Sequence, residues 1–196
     1  MTRQPFHHGN LRAVLLDQAE RTLREGSVED LSLRELARQA GVSHGAPRSH
    51  FIDRQALLVA LAERGFVRLT HDVATAGAAH PVDLVNRLRS VAAAYVGFAV
   101  TDAGLLELMF STKGADAAES VREAAAAFFS TFDALFDADL RAGRFRGPDR
   151  QRTKLLFVAT LQGVASLIAS HRIPQELGDA LVDDAIQLLL VDGTAH

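Results

Sequence analysis

Apolar side chains recur at helical spacing along almost the whole chain, and the pattern breaks where glycine, proline or capping residues stand. Leu11, Val14, Leu15, Ala19 and Leu23 form one stripe, with Asn10 placed as an N-cap and Gly26 as a stop, which predicts a helix over 10–25. Ser32-Leu33-Arg34-Glu35 has the form of a capping box, in which the Ser32 and Glu35 side chains satisfy each other's free backbone N–H groups. Leu33, Leu36, Ala37 and Ala40 continue it as a second helix, closed by Gly41 in the left-handed conformation. Ser43 stands as the cap of a short helix over 44–50, and Asp53 as the cap of a long one over about 54–75. Further helices are expected over about 81–100 with Pro81 in the first turn, 105–111 capped by Asp102, and 116–142 stopped by Gly143. The last two are expected over 148–171 and 174–191. No alternating strand pattern and no internal repeat interrupts them. The expected fold is all-α, with three short helices in an N-terminal domain over 1–53 and six longer ones over 54–196.

Composition narrows the chemistry. Apolar residues make up 48% of the 196, enough to bury a core and to exclude disorder as the default state. There is no cysteine, which excludes disulfides, thiolate metal sites and cysteine nucleophiles. No uninterrupted apolar run of about 18 residues is present, and Met1 to Pro5 lacks a signal-peptide apolar region, so a cytoplasmic protein without a membrane partner is expected. The net charge of -3 is unevenly spread. Residues 1–70 carry ten arginines against eight acids, a net of +2, whereas residues 71–196 carry a net of -5. That asymmetry has the sign expected of an N-terminus that meets nucleic acid, although charge alone does not decide it.

The segment over 33–50 gives the charge a meaning. A short helix, a glycine-containing turn and a second short helix let one helix brace while the other enters the major groove of DNA. The brace is Leu33 to Ala40, the turn Gly41-Val42-Ser43, and the reading segment His44 to His50. Gly45 and Ala46 permit close approach, while His44, Arg48, Ser49 and His50 supply donors for bases and phosphates. Ser32, Ser43 and Arg54 stand at helix starts, where backbone N–H groups or charge suit a phosphate oxygen. The reading segment has little apolar content beyond Ala46 and the flanking Phe51, and buries too little to exist for packing alone. An ordinary helical hairpin, in a small-molecule-binding or protein-interaction module that does not bind DNA, is the alternative.

These residues also carry a family likeness. His7-His8-Gly9-Asn10-Leu11, then Leu36 through Pro47, then His50-Phe51 with Asp53, Leu57 and Leu58 resemble the DNA-binding domain of tetracycline-repressor-like (TetR) regulators over about 7–60. The resemblance implies a homodimer of nine-helix subunits, a double-stranded palindromic operator, and release of DNA when a small-molecule effector binds. Members commonly carry an aromatic, often tyrosine, where Arg48 stands, so Arg48 is placed to meet a phosphate or guanine edge instead. Beyond residue 61, Phe98 through Phe110 and Leu161 through Leu167 resemble one C-terminal subfamily, in which a histidine often stands at the position of Gln162.

Ten of the eleven phenylalanines lie beyond residue 50. Phe128, Phe132 and Phe136 repeat every four residues as one stripe. With Tyr95, Phe98, Leu106, Met109, Phe110, Phe157 and Leu161, they either wall an apolar effector pocket or form plain core. Leu155, Ala159, Gly163, Ser166, Leu181, Ala185 and Leu188 lie on the last two helices, which in the family usually make a four-helix dimer interface; their small members permit close approach. Enzyme chemistry fits poorly. Gly41 to Gly45 spells G-x-S-x-G, but a nucleophile elbow follows a strand, and here a helix precedes. His44 and His50, six apart, face different sides of a helix and make poor metal partners. His7-His8 reads as an arm near phosphate, a metal pair or neither. No cofactor is expected.

Overall fold

The structure is a computed structural model that describes residues 11–112, 118–146 and 149–191. Among these residues the chain forms eight α-helices and two 3₁₀ turns. The helices are α1 (Leu11–Glu25), α2 (Leu33–Gln39), α3 (Arg54–Ala78), α4 (Leu84–Thr101), α5 (Ala103–Thr112), α6 (Glu119–Arg141), α7 (Arg150–Ala169) and α8 (Gln175–Leu189). The turns are Val28–Asp30 and Ala46–Ser49. The only extended pairing among the described residues is an isolated bridge between Phe145 and Leu190. The all-α expectation holds, with the third of the nine expected helices present as the 3₁₀ turn. Asn10, Asp116 and Pro148, expected at helix starts, and the His7-His8 arm lie outside the described residues.

The chain forms two compact units, one of residues 1–65 with 104–122 and one of residues 66–103 with 123–196. In the first, Leu15, Leu16, Ala19 and Leu23 of α1 are buried, as are Leu36 and Ala37 of α2 and Leu57, Leu58 and Leu61 of α3. Each such leucine contributes about 1.5–3 kcal/mol of transfer free energy. Arg64 of α3 reaches back to α1, with Nη2 2.5 Å from Asp17 Oδ1 and Nε 3.1 Å from Glu20 Oε1. Gly65 is required by packing, because a Cβ there would lie 2.5 Å from Met109 Sδ.

In the second unit α4, α7 and α8 pack against one another, and α6 carries an aromatic ladder. Phe132 and Phe136 have ring centroids 4.9 Å apart, and Phe157 of α7 meets Phe136 edge-on at 5.4 Å. A buried ionic network fixes the far end of α6. Arg87 of α4 binds Asp139 and donates to the Pro81 carbonyl at 2.8 Å, while Arg144 Nη1 lies 2.7 Å from Asp139 Oδ1. Lys154 of α7 holds Asp133 and Asp137 of α6 at 2.9 and 2.8 Å. After α6 the chain pairs with the end of α8, where Arg146 N–H donates to the Leu189 carbonyl at 2.7 Å. The 20-residue α7 has the length and mean hydropathy of 1.2 of a membrane span, yet its Phe157, Leu161, Val164 and Ile168 face is buried inside this unit.

Helix ends follow local chemistry, with corrections. Gly41 takes φ 67 as expected, and Asp53 Oδ1 caps α3 through Ala56 N–H at 2.8 Å. Pro81, by contrast, precedes α4 rather than opening it. Asp83 accepts from Asn86 N–H at 3.0 Å, and this carboxylate cap sets the helix start. Asp139→Ala is expected to lower unfolding free energy by about 3–5 kcal/mol, because it leaves Arg87 buried without its carboxylate. Lys154→Ala, at a more open pair, is expected to cost about 1 kcal/mol or less. Chemical denaturation of both variants measures the contrast.

Candidate DNA interface

The first unit presents its helix-turn-helix through a set of caps. Ser32 Oγ accepts from Glu35 N–H at 3.1 Å and starts α2. The reciprocal half of the expected capping box does not form. The Glu35 carboxylate turns instead to Arg38, at 2.8 and 2.5 Å, and to Gln39 at 3.0 Å, since residues three and four apart are neighbours on a helix. A box-like pairing outside the expected set occurs earlier: Ser27 N–H and Oγ both donate to Asp30 Oδ2, at 2.8 and 2.9 Å. Gly26 allows this approach, because a Cβ there would lie 2.6 Å from that oxygen.

The α2 helix closes with Val42 N–H donating to the Ala37 carbonyl at 3.0 Å, past the left-handed Gly41. The reading segment then departs from expectation in its geometry. Ala46–Ser49 is a single 3₁₀ turn rather than a seven-residue α-helix, and Ser43 makes no side-chain cap to it. Proline supplies no N–H at position 47, so the Ser43 carbonyl accepts from Ala46 N–H at 3.0 Å, three residues on. Pro47 is buried, and Phe51 N–H donates to its carbonyl at 2.9 Å. Phe51 itself is 2% exposed, so both ends of the turn are pinned into the core.

What remains outward is polar and open. Ser32, Ser43, His44, Gly45, Arg48, Ser49 and His50 are exposed, and Ala46 is half-buried. Ser49 Oγ donates to the Ala46 carbonyl at 2.7 Å, which leaves its oxygen lone pairs outward. Arg48 has no carboxylate partner among the described residues. Arg54, expected to meet phosphate, is exposed but committed. Its Nε and Nη2 donate to the Leu31 and Val28 carbonyls at 3.0 and 2.5 Å, so it braces the loop that leads into α2.

The expected effector residues fall in both units. Tyr95, Phe98, Phe128, Phe132, Phe136, Phe157 and Leu161 belong to the second, and all are buried; Leu106, Met109 and Phe110 belong to the first. The α6 phenylalanines pack on one another, and Arg68 covers the Phe98 ring at 4.7 Å. Burial pushes the Tyr95 hydroxyl above its ordinary range, with the side chain of Gln162 on α7 opposing, and among the described residues the hydroxyl makes no hydrogen bond. Phe145, which meets Phe136 at 6.0 Å, is an aromatic the expected set omitted.

The residues expected at a dimer contact lie on one outward stripe of α7 and α8. Leu155 is 57% and Leu188 75% exposed, Ala159, Gly163, Ser166 and Leu181 are exposed, and Ala185 is half-buried. Leu156 and Leu177 extend the stripe. A groove of about 550 Å³ lies there, lined by Leu155, Leu156, Ala159 and Leu189 together with Arg146 and Arg152.

Comparison with known proteins agrees with this architecture. Residues 15–61 match the model for bacterial regulatory proteins of the tetR family, and residues 88–190 match the tetracyclin repressor-like C-terminal domain. The chain belongs to the TetR family. Accordingly it is a DNA-binding transcriptional regulator, in a family of regulators rather than enzymes. This TetR-family chain is similar to a protein of unknown function from Rhodococcus sp. RHA1, with 41% identity, a TM-score of 0.84, and coverage of 96% of this chain and 100% of that one. SmeT, the repressor of the Stenotrophomonas maltophilia multidrug efflux pump SmeDEF, shares the fold at 20% identity and a TM-score of 0.68, covering 93% of this chain and 92% of its own. A putative TetR-family transcriptional regulator from Vibrio parahaemolyticus does so at 19% identity and a TM-score of 0.69, covering 92% and 98%. No curated protein matches the chain.

The Glu35 cluster offers a direct check on the bracing helix. Hydrogen bonds from Arg38 and then Gln39 hold the Glu35 carboxyl down to about 2, well below the ordinary glutamate value. A depressed carboxyl favours the folded state above its unfolded value, and this contribution is lost as pH falls from about 4.5 through about 2. Carbon-detected NMR titration is expected to place the Glu35 midpoint near the lower figure; titration at an ordinary glutamate value would show that the cluster does not form.

Proposed function

We propose that this regulator is a repressor that binds a palindromic operator as a homodimer and leaves it when a small apolar molecule binds. In this reading residues 1–53 read DNA, residues 54–196 sense the effector and dimerise, and the protein works in the cytoplasm without a cofactor. The observation that carries the DNA half is the polar, outward 3₁₀ turn whose only buried members, Pro47 and the flanking Phe51, anchor it. Ser32, Ser43, His44, Gly45, Ala46, Arg48, Ser49 and His50 are the proposed contacts, with Arg54 acting through its brace on the Val28 and Leu31 carbonyls.

The dimer half is supported by the leucine stripe on α7 and α8. Leu155, Leu156, Leu177, Leu181 and Leu188 are too contiguous and too exposed for a surface that meets only water. A two-fold axis through this stripe is self-complementary, and it duplicates the reading turn for two half-sites about 34–36 Å apart. The repressor role is carried over from SmeT, a repressor of the same fold. The aromatic core of the second unit favours an apolar effector. Release then requires that the effector bind a conformer unable to span adjacent grooves more tightly than the DNA-bound one.

Selection of genomic fragments followed by footprinting tests the central reading. A protected palindrome is expected, with affinity falling steeply as salt rises. Binding without dyad symmetry, or no protected site, would contradict it. Arg48→Ala is expected to weaken operator binding about tenfold or more, as loss of a charged base or phosphate contact does, while the protein still dimerises. Conversely, Leu188→Asp places a charge in the stripe and is expected to shift the protein to monomer in analytical ultracentrifugation without changing its helix content.

A further inference from the structure

We infer that Arg12 is a phosphate-binding residue of the DNA interface, held in place by the ring of Phe51. This rests on the DNA-binding reading of the first unit and extends it to α1, which carried none of the expected contacts.

Arg12 is exposed on the first turn of α1, three and four residues before the buried Leu15 and Leu16. That spacing puts its stem on the side of α1 that faces the core. The guanidinium carbon lies 5.5 Å from the centroid of the Phe51 ring. Phe51 is the residue that closes the reading turn through its N–H bond to the Pro47 carbonyl. The cation therefore stands immediately beside the segment that enters the major groove.

Three of the other arginines in this unit have their charge engaged within the protein. Arg64 binds Asp17 and Glu20, Arg38 binds Glu35, and Arg54 binds backbone carbonyls. Arg12 has no carboxylate partner among the described residues, and an aromatic face orients it without neutralising it. The major groove is about 12 Å wide and its walls are phosphate, so a cation flanking the reading turn meets a phosphodiester oxygen rather than a base edge. The contact fixes register and carries no sequence information of its own.

Arg21 supplies the internal control. It too is exposed on α1, but nine residues further on, which at 3.6 residues per turn is the opposite side of the helix. Arg12→Ala, Arg12→Lys and Arg21→Ala are compared in the full chain by fluorescence anisotropy. The probes are a labelled duplex carrying the strongest site recovered from genomic selection and an unrelated duplex of equal length. Arg12→Ala is expected to weaken both duplexes alike, by about tenfold at moderate salt, and to reduce the slope of log affinity against log salt by about 0.9, one phosphate's worth. Arg12→Lys is expected to restore the slope and Arg21→Ala to leave it unchanged. Equal slopes for Arg12→Ala and the unsubstituted protein would overturn the assignment. So would weaker binding at an unchanged slope with a lower melting temperature, which would mark Arg12 as a structural prop for Phe51. Should the unsubstituted protein bind neither duplex, the DNA reading itself would fail, an outcome distinct from the failure of Arg12 alone.

Discussion

The DNA-facing unit depends on how a turn too short to hold its own shape is fixed. Ala46–Ser49 has a single turn of 3₁₀ hydrogen bonds, far below the length at which a helix is stable in water. It persists because Pro47 is buried, Phe51 is seated in the core, and the Phe51 N–H returns to the Pro47 carbonyl. Every outward side chain of the segment inherits its direction from those two anchors. The same arrangement explains why the surface is free to be polar. The apolar contribution is made by two residues, and Arg48, Ser49 and His50 are left exposed and polar.

A second division of labour concerns arginine. Several arginines of the first unit do structural work, joining α1 to α3 or holding the carbonyls of the loop before α2. Arg48 and Arg12, like Arg21 and Arg34, have no carboxylate partner among the described residues, but Arg12 lies beside the turn and Arg48 within it. Charge count by segment does not distinguish these roles; partner geometry together with position does. In the second unit, Arg87 and Arg144 converge on Asp139, so much of the basic content there serves to close the bundle.

The architecture was largely legible in the sequence because helix ends carry their own chemistry. Gly41, Asp53 and the apolar stripes of α1 and α2 each point to one local structure, and the fold follows them. Where two local options competed, sequence reading chose by motif and the structure by proximity. Glu35 found Arg38 and Gln39 nearer than the Ser32 amide, and Asp83 capped α4 although Pro81 stood first. The missing N–H of Pro47 was visible in the sequence, yet its consequence, a 3₁₀ turn in place of an α-helix, depends on the burial of the proline ring. Charge and position suit Arg54 to a phosphate, whereas its partners within the chain are carbonyls 23 and 26 residues earlier that only the fold brings near. The effector site is less legible for a physical reason. Phe128, Phe132 and Phe136 have the same period whether they wall a cavity or pack on each other.

The central claim is that two copies of one pinned turn are presented together at the pitch of duplex DNA. The chain has no cysteine, so Ile52→Cys, at a position 82% exposed just past the turn, gives one spin-label site per subunit. Pulsed electron resonance on the labelled protein bound to its selected duplex measures the separation of the two turns. The account predicts a single inter-subunit distance near 34–36 Å, broadened by the label tether, that shifts when an effector releases the DNA. No inter-subunit distance, or one that cannot match successive major grooves, would contradict it.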